Sequence, residues 1–128
     1  MGYEVVGSRD VSPAEDRPCE LRQLTAGTDP STLAVNRYRV DPGEQIPIQY
    51  HYHDEQKQAF YVLSGTLVVE TPDGAYTVGS GSLFAVTPES AHRAHNPADA
   101  DAAVEVLAMG APADEGSVYP YEPDDGGS

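Results

Sequence analysis

Residues 59–91, AFYVLSGTLVVETPDGAYTVGSGSLFAVTPESA, decide the fold class. The stretch holds four short runs, Ala59–Leu63, Thr66–Glu70, Ala75–Val78 and Leu83–Val86. Each is too short for a helix, and Val, Tyr, Phe and Thr recur in them, as in strands. Between them stand Ser64-Gly65, Thr71-Pro72-Asp73-Gly74 and Gly79–Gly81. Pro and Gly in these places preset or permit the backbone angles of tight turns, and the middle one is the connection expected of a hairpin.

Outward from this stretch the same grammar continues. Upstream, Leu33–Val40 reads as a strand and Asp41-Pro42-Gly43 as a turn. Gln45–His53 then runs extended, with Pro47 tolerable at an edge or a bulge because it lacks the N–H that a ladder needs. Downstream, Thr87–Ala91 is a loop, and Ala91–His95 and Ala103–Met109 are the last strands. No convincing helical period holds over about 11 residues anywhere in the chain. Many short strands at close spacing indicate an all-β sandwich or closed barrel with little helix. Residues 1–32 are expected to form an arm with one or two short strands, such as Glu20–Leu24; residues 33–110 form the barrel; and residues 111–128, rich in Pro, Gly and acid, form a flexible tail that Tyr119 and Tyr121 can partly anchor.

Composition narrows the partners. A chain of 128 residues fits one domain. Asp and Glu total 21 against 7 basic residues, Lys57 is the only lysine, and the formal charge is −14. Such a surface repels nucleic acid and anionic membranes, since phosphate recognition needs a basic footprint. The lysine-poor, acidic character resembles proteins of halophiles; at about 1 M salt the Debye length falls to roughly 3 Å and self-repulsion is screened. No apolar run approaches the ~20 residues that span a bilayer, and Met1–Asp10 lacks a signal-peptide pattern, so the expected location is cytoplasmic. The single Cys19 makes no internal disulfide and reads as a small, half-buried residue.

All four histidines fall in two places, 51 and 53, and 92 and 95. Two residues apart on a strand, His51 and His53 share one face, and Tyr50 and Tyr52 take the other. Gln58 and Phe60 share the inward face of the next strand, and His92 shares its face with Ala94 and Asn96. In a small barrel inward faces converge, so three imidazoles can meet at one point and hold a transition metal at about 2.0–2.1 Å. The competing reading is chance clustering of core and surface histidines.

Two segments carry a family resemblance. Gly43–Gly65, GEQIPIQYHYHDEQKQAFYVLSG, resembles the first motif of the cupins: a glycine, then His-x-His, then an acid three or four residues on, then a glycine. Gly81–Asn96, GSLFAVTPESAHRAHN, resembles the second motif: a glycine, a proline-glycine turn, a histidine and an asparagine four residues on. The resemblance implies a double-stranded β-helix, the jelly-roll barrel, with one divalent ion (Mn, Fe, Ni or Zn) held by His51, His53 and His92. Two positions depart from the pattern. Gln58 stands where the family has glutamate, and Thr87-Pro88-Glu89-Ser90 lacks the usual turn glycine. Gln58 can ligate through its carbonyl oxygen, as glutamine does in similar cupins that open or isomerise unsaturated uronic acids, or it can be a polar barrel residue outside the coordination sphere. As a ligand it brings no negative charge, which makes the metal a stronger Lewis acid and disfavours its oxidised state.

The function so implied is a metal-binding cupin acting on a small polar molecule, by isomerase or lyase chemistry or as a dioxygenase, at a site of three histidines with or without Gln58. The alternative is a non-catalytic module binding a sugar or other small molecule. The residues show no distinct general base beyond the ligand set, which leaves enzyme and binding module both open, and no helix-turn-helix segment points to a DNA-binding regulator. His95 falls on the face opposite His92 and reads as a surface residue; Asp54 and Glu55 read as solvated; Asn36 and Tyr38 line the pocket or pack; Phe60 and Phe84 are core; Arg93 sits at the mouth or on the surface. A homodimer is expected, because the arm before Leu33 exceeds what a barrel needs and jelly-roll edges require cover.

Overall fold

The computed structural model describes residues 5–25, 33–46, 51–53, 56–88, 90–111 and 118–120, with the backbone alone at 51–53 and 118–120. Ten strands are described: β1 (Glu20–Gln23), β2 (Ala34–Val40), β3 (His51–His53), β4 (Lys57–Ser64), β5 (Thr66–Thr71), β6 (Gly74–Gly79), β7 (Leu83–Val86), β8 (Arg93–His95), β9 (Val104–Ala111) and β10 (Val118–Pro120). The helical content among described residues is one 3-10 turn, Ser8–Asp10. None of these elements is a helix long and apolar enough to cross a membrane.

The strands form a five-stranded sheet in the order β1-β2-β9-β4-β7, a three-stranded sheet in the order β6-β5-β8, and the pair β10-β3. All pairings are antiparallel, and β9 inserts between β2 and β4, far from it in sequence. This is the jelly-roll sandwich expected from the strand pattern. Alternation along each strand turns one set of side chains inward. From the larger sheet these include Leu21, Tyr38, Val40, Phe60, Val62, Val86, Val104 and Val106, and from the smaller one Leu67, Val69, Val78 and Ala94, all in one core cluster.

Turn chemistry holds the sheets in register. Thr71 Oγ1 accepts from the Asp73 N–H at 3.1 Å and donates to the Gly74 carbonyl at 2.8 Å, closing the β5–β6 hairpin. Gly65, between β4 and β5, has φ +82°, and a Cβ there would lie 2.7 Å from the Ala103 carbonyl oxygen, so only glycine lets the chain cross β9 so closely.

The structure also differs from the sequence expectations at defined places. Val118–Pro120, within the stretch read as a loose tail, pairs with β3, placing Val118 opposite His53 and Pro120 opposite His51. β1 falls on the short strand expected at Glu20–Leu24 of the arm, and it joins the five-stranded sheet, with Leu21 opposite Tyr38. Of the extended run Gln45–His53, Gln45 bridges His95 and β3 is a strand, while Pro47 and Tyr50 lie outside the described residues. Asp54, Glu55, Glu89 and Tyr121 lie outside them too.

Candidate metal centre

β4 brings the first polar side chains into the barrel. Gln58 pairs with Val86 on one side and Gly110 on the other, and shares the inward face with buried Phe60. The Gln58 Oε1 atom is buried and has no hydrogen-bond partner among the described residues. An amide oxygen removed from water without a donor is costly, and a cation or a water at that point would repay it. This is the chemistry of a ligand position.

His92 is 2% exposed, with buried Ala91 before it and Ala94 two residues on. Its ring meets the Phe60 ring edge-on, with centroids 5.8 Å apart and planes at 63°. The Nδ1 atom lies 2.9 Å from the Ser90 carbonyl oxygen. A carbonyl only accepts, so Nδ1 carries the proton and Nε2 keeps its lone pair, the tautomer a metal requires. Asn96, at the end of the same stretch, is structural: its amide nitrogen donates to the Val40 and Ala102 carbonyls at 3.0 and 2.9 Å.

His51 and His53 alternate on β3 with Tyr52 between them, but their side chains lie outside the described residues. Among the described residues no group of three or more His, Cys, Asp or Glu gathers. His95 points to the face opposite His92, as alternation requires, yet it is more covered than a surface reading implies. Its Nε2 is 3.6 Å from Glu70 and its side chain is 17% exposed. Burial and the neighbouring Arg93 hold its pKa below the ordinary histidine value, against the opposing pull of Glu70. Arg93 donates to Gln45 at 2.9 Å and to Glu70 at 3.1 Å, on that same outer face. Cys19 is buried, and burial first, then Glu44, Asp41 and Glu20, pushes its thiol up to about 12, so it is not a nucleophile.

Two groups near these residues carried no signal that singled them out. Gln56 is 4% exposed and lies against Gly110, where a Cβ would fall 2.5 Å from its amide nitrogen. Its position two before Gln58, on the same face by alternation, was the available cue. Ser90 acts through its backbone carbonyl, which no residue type encodes. Beside His92 a cavity of about 440 Å³ opens between β6 and β7, lined by Tyr76, Phe84, Thr87, Ser90 and Asp73. The Tyr76 and Phe84 rings stand 5.3 Å apart and form an apolar wall, and Thr87 and Ser90 add polar groups to the lining. Its size and mixed lining suit a small molecule.

The sequence model of the Cupin domain matches residues 36–109, more than half of the chain. The chain belongs to the cupin family. Solved structures share its fold at low identity. The polyketide cyclase RemF from Streptomyces resistomycificus is 19% identical over 97% of this cupin and 89% of that chain, with a TM-score of 0.77. A cupin-superfamily sugar phosphate isomerase from Silicibacter pomeroyi is 20% identical over 94% and 83%, TM-score 0.75. Streptomyces PAC13 with uridine is 18% identical over 88% and 84%, TM-score 0.68. PAC13 is described as a nucleoside dehydratase. No curated protein matches this cupin in sequence.

Proposed function

We propose that this cupin holds one divalent transition-metal ion on His51, His53, His92 and the Gln58 side-chain oxygen, and acts there on a small polar molecule. The observation that carries the reading is the buried Gln58 Oε1 without a donor among the described residues, on the inward face it shares with Phe60, whose ring His92 meets. The oriented His92 tautomer supports it. A bound ion in such a set keeps open positions, so it supplies Lewis-acid polarisation of a carbonyl or activation of water, or dioxygen chemistry with a redox metal. The chain's own part is to orient His92 through Ser90, to exclude water with Phe60, and to offer a neutral fourth donor, which favours isomerase or lyase chemistry over oxidation. The solved neighbours named for an isomerase, a cyclase and a dehydratase are consistent with non-oxidative work on small molecules. The charge of −14 with a single lysine supports a salt-rich cytoplasm as the working milieu.

Protein purified without a histidine tag should carry up to one metal ion per chain, and His51→Ala with His53→Ala should abolish it. Equal metal in wild type and double variant by elemental analysis overturns the site. In a metal-loaded crystal, a Gln58 oxygen farther than about 3 Å from the ion removes it from the ligand set, since first-row metal–oxygen bonds lie near 2.0–2.2 Å. A loaded site that turns over none of a panel of sugars, sugar phosphates and nucleosides would favour the binding-module reading.

A further inference from the structure

The cavity beside His92 has a lining rich in acceptors and poor in donors. Besides His92, its polar side chains among the described residues are Asp73, Thr71, Tyr76, Thr87 and Ser90. Much of the donating capacity at this place is spent within the protein. Thr71 Oγ1 donates to the Gly74 carbonyl, the Asp73 N–H donates to Thr71 Oγ1, and the Ser90 N–H donates to the Thr87 carbonyl at 3.3 Å. The Thr87 and Ser90 hydroxyls share one hydrogen between oxygens 2.8 Å apart, and the Nδ1 proton of His92 goes to the Ser90 carbonyl. What remains for a ligand is mainly the Asp73 carboxylate and hydroxyl lone pairs. Cations are placed elsewhere. Lys and Arg number 7 in the chain, and all fall within the described residues. Arg22, Arg37 and Arg39 pair with acids on the five-stranded sheet, and Arg93 pairs with Glu70. Lys57 is exposed at the start of β4, and Arg9 and Arg17 precede β1. None of the seven lines the cavity.

We propose that the small molecule bound in this cavity is uncharged, joins a flat ring to several hydroxyl groups, and carries no phosphate or carboxylate. The inference deepens the function proposed above and rests on its reading that a small molecule binds beside His92; it does not depend on which ion is held there. The ring follows from the Tyr76–Phe84 wall. Those rings stand with centroids 5.3 Å apart and planes at 58°, and Tyr76 is 49% exposed, so an aromatic surface is open to the cavity. Such a surface favours another ring over a compact polar group. The hydroxyls follow from the acceptors, because Asp73 and the Thr87–Ser90 pair need donors from the ligand. The missing anion follows from the missing cations. A phosphate or carboxylate only accepts, and it is recognised by guanidinium, ammonium or clustered N–H groups. Here it would meet the Asp73 carboxylate without a counter-charge, on a chain of −14. The lining thus sets this chain apart from the uronic-acid chemistry that the resemblance at Gln58 brings with it.

Calorimetric titration of the full chain as purified, its metal content measured alongside, tests this with three matched probes. Phenyl β-glucoside has the ring and the hydroxyls, phenyl β-glucuronide exchanges one hydroxymethyl for a carboxylate, and methyl β-glucoside lacks the aromatic ring. In about 1 M KCl, where long-range repulsion is screened, phenyl β-glucoside should bind at least about tenfold more tightly than either of the others. Tyr76→Ser should weaken the two phenyl probes at least about fivefold and leave methyl β-glucoside within about twofold, a pattern that general damage to the fold would not give. Asp73→Lys, at an exposed turn position, supplies the missing cation and should tighten phenyl β-glucuronide at least about fivefold. Far-UV circular dichroism should stay at the wild-type level in both variants. No binding of phenyl β-glucoside at about 10 mM, a glucuronide or methyl glucoside that binds as tightly, or an Asp73→Lys chain with the wild-type ranking would each overturn the inference. A chain that ranks the probes as expected but carries no metal strikes the metal reading alone; a metal-loaded chain that ranks them otherwise strikes this inference alone.

Discussion

The two ends of the barrel interior are built from the same strands and do opposite things. Inward positions along β4 run Gln58, Phe60, Val62, and along its neighbour β9 from the same end they run Gly110, Ala108, Val106. On β2 they run Ala34, Asn36, Tyr38, Val40. At the far end Val40, Val62, Val104 and Val106, with Leu67 and Val69 from the opposite sheet, are fully buried at 0% exposure, and all are aliphatic. At the near end the side chains shrink to glycine and alanine, and Gln56, Gln58 and His92 enter. One end spends its volume on packing; the other leaves room and lone pairs. Alternation decides which face a residue takes, and position along the strand decides whether that face is aliphatic or polar.

The contrast can be broken most strongly at the dry end. Leu67→Ala should cost about 2–5 kcal/mol of stability, the range for emptying a fully buried leucine site, while metal content per folded chain stays as in wild type. Urea unfolding and elemental analysis read the two quantities. A loss of metal as large as that of the histidine variants would show that the two ends are not separable.

Gly110→Ala addresses the polar end. The added Cβ would fall 2.5 Å from the Gln56 amide nitrogen, so the buried amide must move. Overpacking of this kind costs about 1–3 kcal/mol. Gln56 and Gln58 both lie beside Gly110, so the displacement should weaken metal uptake more than Leu67→Ala does. Wild-type metal affinity in Gly110→Ala, measured by competition with a chelator, would remove Gln56 from the support of the site.

The smallest effect lies outside the barrel. His95 has a folded-state pKa below its unfolded value of 6.5, through burial and Arg93. Between those two values the unfolded chain binds the extra proton, so stability is complete above about 6.5 and falls as the pH drops. His95→Gln should flatten that part of the stability curve between about pH 7.5 and 5.5. An unchanged slope in molar KCl would assign the pH dependence to other groups.

Much of this was legible in residue order, and what was not has definite causes. Leu33–Val40, Thr66–Glu70 and Ala75–Val78 fall within a residue or two of β2, β5 and β6, because alternation and Thr-Pro-Asp-Gly chemistry act locally. Gln58 and Phe60 share one face of β4 as the period-2 reading expected, and the Phe60 ring meets His92. β10 was missed because Val118–Pro120 is too short and too proline-bound to show a period, and it becomes a strand only by pairing with β3. His95 is more covered than its face suggested because Glu70, Arg93 and Gln45 gather around it from other segments.

The sequence by itself determined the all-β class, the hairpin turns and the inward set of the described core strands, since all of these follow from backbone sterics and a two-residue period. Only the tertiary structure decided that the Ser90 carbonyl sets the His92 tautomer, that Gln58 Oε1 is buried with no donor among the described residues, and that Gly110 makes room for Gln56. Those depend on which strands become neighbours across long stretches of chain, and pairing of that kind leaves no periodic trace in the residues that take part.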